Sequence, residues 1–97
     1  MSAIFDTASV EWQPVRPEVT EGVFGKPLLD DKIKVVLTRV VPNGKFRPHR
    51  DKYSHVFYFL SGEGTVTVGG QPSVARAGVV ARVDAGETHA YENTGGE

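Results

Sequence analysis

From residue 32 onward, turn signals recur at intervals of about 8–12 residues, and this spacing limits the chain to a few folds. The signals are Gly- and Asn-containing clusters at residues 42–44, 61–64, 69–70, 77–78, 84–86 and 94–96. The segments between them are short and rich in β-branched and aromatic residues, which favour strands. No stretch shows a helical apolar period over three turns. The pattern therefore predicts an all-β sandwich or barrel with little helix.

Composition narrows the class of protein further. A chain of 97 residues is the size of one domain with a single core. Its 11 Lys and Arg nearly balance its 12 Asp and Glu, so we expect neither nucleic acid nor an anionic membrane as a partner. The sequence has no apolar run long enough to span a bilayer and no signal-peptide pattern, and the cytoplasm is the default location. Cys is absent, so a bound metal would need nitrogen and oxygen ligands.

Residues 1–31 are the least patterned part of the chain. Pro14, Pro17 and Pro27 exclude a continuous helix there, and residues 10–14 predict a short edge strand. We expect Trp12 to anchor this arm on the outside of the domain rather than to stack on a ligand. The prediction is one domain over residues 1–97, with an arm and edge strand at 1–31 and a barrel core at 32–97.

The three histidines of the chain fall near one carboxylate in the predicted strands. Strand alternation would place His49 and Asp51 on one face, and His55 and His89 at faces of two other strands. A carboxylate such as Asp51 is costly to bury without a cation. Three imidazoles and one carboxylate are suitable ligands for a divalent transition metal.

At these residues the chain resembles the cupin family. The first cupin motif is G(X)5HXH(X)3-4E(X)6G, and its positions are held here by His49, Asp51, His55 and Gly62. The second motif is G(X)5PXG(X)2H(X)3N, and its positions are held by Gly78, Asp84, Gly86, His89 and Asn93. The resemblance covers roughly residues 32–96. It implies a single-domain jelly-roll β-barrel with a metal inside one end.

The departures from the two motifs leave the number of ligands unchanged. Asp51 stands where the family has its second histidine, and His55 stands where it has glutamate. Carboxylate and imidazole have thus exchanged positions. The resemblance therefore implies a site for Fe, Mn, Zn or Ni held by His49, Asp51, His55 and His89.

Two further residues are weaker candidates for a catalytic role. Arg47 has the same strand parity as His49, so on a regular strand it would face the interior and could bind a substrate carboxylate. The alternative places it in solvent at the barrel mouth. Tyr91 could serve as a proton donor or as an aromatic wall. Phe57 and Phe59 are expected to pack in the core.

The resemblance allows dioxygenase, isomerase, lyase and decarboxylase activities. We predict a metal-dependent enzyme that acts on a small acidic or oxygen-rich molecule, with dioxygenase slightly favoured. The alternative is a non-catalytic module that binds or senses a metal-chelated ligand. Fold alone does not choose between them.

The length of the chain after the second motif suggests a homodimer. Cupins continue beyond that motif into another strand, whereas this sequence has four residues after Asn93. Unpaired strand edges promote pairing between chains, and symmetric dimers are the commonest result. The arm could cover such an edge in a partner, or it could fold back on its own barrel.

Overall fold

The structure, a computed structural model, describes residues 3–96 and folds them into two β-sheets. The strands are β1 (Gln13–Pro14), β2 (Thr20–Asp30), β3 (Lys34–His49), β4 (His55–Tyr58), β5 (Glu63–Val68), β6 (Gln71–Arg76), β7 (Val80–Val83) and β8 (His89–Asn93). Within the described range, helical structure is limited to a 3-10 turn at Thr7–Ser9. The all-β prediction is confirmed.

The two sheets have the arrangement of a jelly roll. The larger sheet has six strands in the order β1-β2-β3-β8-β5-β6, and the smaller one pairs β4 with β7, all antiparallel. Across residues 3–96 the two sheets are not hydrogen-bonded to each other, so they do not close as a barrel. The core between them is small and includes Val66, Ala75 and Ala81, with Phe57 and Tyr91 packed against it.

Part of the segment expected to be an arm is the second strand of the larger sheet. β2 pairs with β3 along most of its length. Pro27 was expected only to exclude a continuous helix, and it lies in this strand where the register between β2 and β3 shifts, a position that tolerates proline. Val23 and Gly25 are buried, and they fix which face of β2 turns inward.

The predicted turn at residues 42–44 is instead a bulge inside the long strand β3. The pairing with β2 shifts between Glu21–Lys45 and Val23–Val40, which leaves extra residues on β3. Asn43 has φ of 66°, and a Cβ on Gly44 would lie 2.8–2.9 Å from three backbone oxygens. A bulge bends its strand, so it redirects the second half of β3, which ends at His49.

Alternation along β4 is as predicted. His55 and Phe57 are half-buried and face the interior, whereas Val56 and Tyr58 are 69% and 62% exposed on the outer face. The inward parity of His55 is therefore confirmed.

The N-terminal arm packs on its own sheet. β1 pairs with β2, and the Lys26 ammonium donates a hydrogen bond to the Thr7 carbonyl at 2.9 Å. The same ammonium lies 4.7 Å from the centre of the Trp12 ring. Trp12 thus contacts the outside of the domain, as expected of an anchor. Among residues 3–96, no helix has the length and apolar character needed to cross a membrane.

Candidate metal centre

Strand pairing brings the three histidines together from both sheets. His49 and His89 are opposite each other on β3 and β8, and their ring centres are 4.3 Å apart. His55 comes from the smaller sheet, with its ring centre 5.0 Å from that of His89. Imidazoles from three different strands thus meet at one end of the space between the sheets.

Asp51 reaches the three histidines from the loop between β3 and β4. This corrects the expectation that Asp51 and His49 share one face of a strand. β3 ends at His49, so parity along a strand does not orient Asp51. The backbone N–H of Gly86 donates to the Asp51 carbonyl at 2.8 Å, and the N–H of Ala85 donates to Ser54 Oγ at 3.2 Å. The turn before β8 therefore holds the loop that carries Asp51.

One carboxylate oxygen faces all three imidazoles. Asp51 Oδ2 lies 2.9 Å from Nε2 of His55, 3.6 Å from Nε2 of His49 and 3.7 Å from Nε2 of His89. The side chains of Asp51, His49 and His89 are only 6–10% exposed, and that of His55 is 20% exposed. Ligand atoms of His49, Asp51 and His89 all lie within 4.8 Å of one another, close enough to hold one metal ion.

The hydrogen bonds of two histidines determine which ring nitrogen carries the proton. Nδ1 of His49 is 2.7 Å from the Arg47 carbonyl, and Nδ1 of His89 is 3.1 Å from the Glu87 carbonyl. A carbonyl oxygen can only accept, so Nδ1 is the donor in both rings. In the neutral imidazoles, Nε2 then carries no proton and can only accept a hydrogen bond. The nearby Asp51 Oδ2 is also an acceptor. Acceptors that face one another in a buried site attract a cation, and this arrangement is common in histidine metal sites.

The pKa values of the site agree with this assignment. Burial lowers the pKa of His89, so its imidazole is neutral and available as a ligand near pH 7. Burial alone would raise the pKa of Asp51, but hydrogen bonds from Arg16 and His55 outweigh it, and the pKa lies below its ordinary value. Asp51 is therefore an anion beside the neutral imidazole of His89.

Arg16 is a site residue that the sequence did not reveal. Its Nη1 donates to Asp51 Oδ1 at 2.6 Å across 35 positions of sequence. It belongs to the loop between β1 and β2, in the segment expected to be an unpatterned arm. No sequence signal links Arg16 to Asp51, since the contact depends on how β2 joins the sheet.

Arg47 does not face the histidines, contrary to the parity argument. Phe46 pairs with Tyr91 and His49 pairs with His89, so β3 uses three steps where β8 uses two. This irregularity breaks the alternation and turns Arg47 outward. Its guanidinium donates to the Glu18 carbonyl at 2.6 Å and lies 3.4 Å from Glu21 Oε1.

The remaining motif residues serve the fold. The Tyr91 ring stacks on Phe59 with centroids 5.4 Å apart, and it leaves no room for a Cβ on Gly64. This packing is consistent with the aromatic-wall alternative for Tyr91, and burial raises its pKa. Asn93 is buried, and its amide donates to the Val40 carbonyl at 2.7 Å, which ties β8 to β3.

Comparison with known families agrees with this geometry. Residues 36–97 match the family model described as Cupin domain. This chain belongs to the cupin family. The matched range contains both cupin motifs and all four candidate ligands of the cupin site. A comparison with curated proteins returned no match.

Solved structures show the same fold. A predicted oxalate decarboxylase from Thermotoga maritima has a TM-score of 0.86 at 22% identity, over 96% of this cupin and 89% of that chain. The polyketide cyclase RemF from Streptomyces resistomycificus has a TM-score of 0.87 at 22% identity, over 99% and 72%. KdgF from Halomonas sp. has a TM-score of 0.87 at 16% identity, over 100% and 86%. At these identities the likeness shows the fold alone.

Replacing His49 or His89 by Ala is expected to abolish stoichiometric metal binding, because each removes one of the lone pairs that face Asp51 Oδ2. The measurement is metal content by mass spectrometry after the protein has been stripped, reloaded with one equivalent of Zn²⁺ and desalted. The control is Lys52→Ala, which changes an exposed residue in the loop that carries Asp51. This variant should keep its metal. Retention of a full equivalent by both histidine variants would show that the ion is bound elsewhere.

Proposed function

We propose that this cupin is a metal-dependent enzyme that acts on a small acidic or oxygen-rich molecule, with a dioxygenase reaction favoured over isomerase, lyase or decarboxylase chemistry. The supporting observation is that the Nε2 atoms of His49 and His89 lie 3.6 and 3.7 Å from the buried Asp51 Oδ2, while the Nδ1 atoms of both rings contact backbone carbonyls. His49, Asp51 and His89 are the proposed ligands of the ion. His55 is the proposed fourth.

His55 differs from the other two histidines in its present hydrogen bond. Its Nε2 lies 2.9 Å from Asp51 Oδ2, so Nε2 carries the proton and donates. To become a ligand, the ring must move this proton to Nδ1. If it does not, His55 orients Asp51 instead. Four protein donors would leave up to two octahedral positions for a substrate.

The donor set suits Fe, Mn, Zn or Ni, all of which accept imidazole and carboxylate ligands. Such an ion would polarise a substrate oxygen or acidify a bound water, and a redox-active one would also activate O₂. The chain itself supplies the walls of the site. Phe57 stacks on His55 with ring centres 5.4 Å apart and lies 6.0 Å from His89, so it shields the interior side from water.

The outer side of the site is more open. The ring of Tyr53 is 4.9 Å from that of His55, and Tyr53 is 59% exposed. The names of two structural neighbours, a predicted oxalate decarboxylase and a polyketide cyclase, also support an oxygen-rich substrate. A cytoplasmic location stays a prediction.

Turnover distinguishes an enzyme from a binding module. Protein purified without chelator and analysed for metal should consume O₂ with some members of a panel of small acids, diols and thiols, or convert them anaerobically as followed by NMR. Asp51→Leu removes the carboxylate and should lower turnover to background, whereas Lys52→Ala should not. Tight binding of a panel member without conversion in either assay would contradict the enzyme and support a non-catalytic binding or sensing module.

We also propose that the protein is a homodimer. The outer faces of β4 and β7 and the residues that follow β4 carry exposed apolar side chains: Val56 at 69%, Tyr58 at 62%, Leu60 at 64% and Val80 at 53%. Tyr58 and Val80 are cross-strand partners, so they form one apolar patch at that end of the smaller sheet. Apolar patches of this kind favour association with a second copy.

Light scattering after size exclusion tests the dimer. We expect a mass near twice 10.5 kDa at micromolar concentration, and Tyr58→Glu should shift it toward the monomer because it places a charge in the apolar patch. Val74→Glu, an exposed change on β6, is the control. A monomeric wild type would contradict the proposal.

A further inference from the structure

Arg16 separates the roles of the two oxygens of Asp51. Its Nη1 donates to Oδ1 at 2.6 Å, while Oδ2 faces the three imidazoles. The Asp51 side chain is 7% exposed, so the surrounding protein leaves the carboxylate little freedom to rotate. One oxygen is held by the guanidinium, and the other is directed into the site.

The loop that carries Arg16 is built to hold it in place. Arg16 has φ of 42°, in the left-handed region that residues other than glycine seldom occupy. The N–H of Val19 donates to the Arg16 carbonyl at 2.9 Å. The buried Thr20 hydroxyl lies 2.5 Å from the Val15 carbonyl and 3.2 Å from that of Arg16. Uncommon backbone conformations that the surroundings enforce are concentrated at functional sites.

A second contact limits the direction of the guanidinium. Arg16 Nε donates to Glu18 Oε1 at 3.3 Å, two residues further along the same loop. The guanidinium thus contacts Glu18 through Nε and Asp51 through Nη1. This two-sided arrangement favours one orientation of the Arg16 head group.

We propose that Arg16 is a positioning residue that keeps Asp51 a one-oxygen ligand, and that the substrate is a molecule that chelates through two oxygens. The proposal rests on the metal site proposed above. With Oδ1 held by Arg16, Asp51 would offer only Oδ2 to an ion held by the imidazoles. If Oδ1 were released, Asp51 could bind through both oxygens and take up a position otherwise open to substrate. Arg16 would thus keep that position available to a molecule that binds through two oxygens, such as a 1,2-dicarboxylate or an α-hydroxy acid.

The test compares wild type, Arg16→Gln and Arg39→Gln, each loaded with Co²⁺, whose visible spectrum reports coordination number. Arg39 is an exposed arginine on β3 and serves as the matched control. Two probes are titrated into each protein: acetohydroxamate, which binds through two oxygens, and azide, which needs one position. We expect Arg16→Gln to show a spectrum of higher coordination number. Its affinity for acetohydroxamate should fall about 10-fold relative to azide, a size usual for loss of a group that orients a ligand.

Circular dichroism first establishes that Arg16→Gln is folded. If it is not, Arg16→Lys takes its place, because one ammonium keeps the charge but cannot reproduce the guanidinium geometry, and the same changes are expected in smaller degree. A wild type that takes up no Co²⁺ would overturn the metal site and this proposal together. A wild type that binds Co²⁺, with Arg16 variants of identical spectrum and identical probe ratio, would leave the metal site standing and overturn the role of Arg16.

Discussion

The buried carboxylate of Asp51 is the constraint on which the organisation of this site depends. An unpaired ion in a protein interior costs several kcal/mol. Two parts of the chain reduce that cost through contacts with the carboxylate: the loop after β1 supplies the Arg16 guanidinium, and β4 supplies a hydrogen bond from His55. The turn before β8 holds the Asp51 backbone. A divalent ion bound between Oδ2 and the Nε2 atoms of His49 and His89 would stabilise the carboxylate further.

The strand pairing within the two sheets fixes the positions of the three imidazoles around Asp51. His49 and His89 are fixed opposite each other by the β3–β8 pairing, and His55 is fixed by pairing with Val83, which is 1% exposed. Two bulge-like irregularities in β3 act on the same end of the strand. One redirects its second half, and the other turns Arg47 away so that His49 can face inward. Rigid elements therefore position the imidazoles, while a loop positions the carboxylate.

The sequence was sufficient for the fold class and for the inward face of β4, because alternation and turn spacing are local properties. It also brought out His49, Asp51, His55 and His89, since the two cupin motifs place them together. It could not locate β2 within the supposed arm, because that strand is stabilised by pairing with β3. For Arg47, parity favoured the interior and the alternative was solvent; the structure shows the exposed position, because parity holds only on a regular strand. It missed Arg16, because the contact with Asp51 spans 35 positions and exists only after β2 has joined the sheet.

X-ray absorption spectroscopy of the protein loaded with one equivalent of Zn²⁺ would show directly whether the imidazoles bind the ion. We expect nitrogen and oxygen neighbours at about 2.0–2.2 Å, with the multiple-scattering pattern of at least two imidazoles. Loss of that pattern in a His49→Ala, His89→Ala double variant would follow from the same geometry. An ion in the wild type surrounded by oxygen alone, without imidazole scattering, would contradict the claim that these imidazoles converge on a metal.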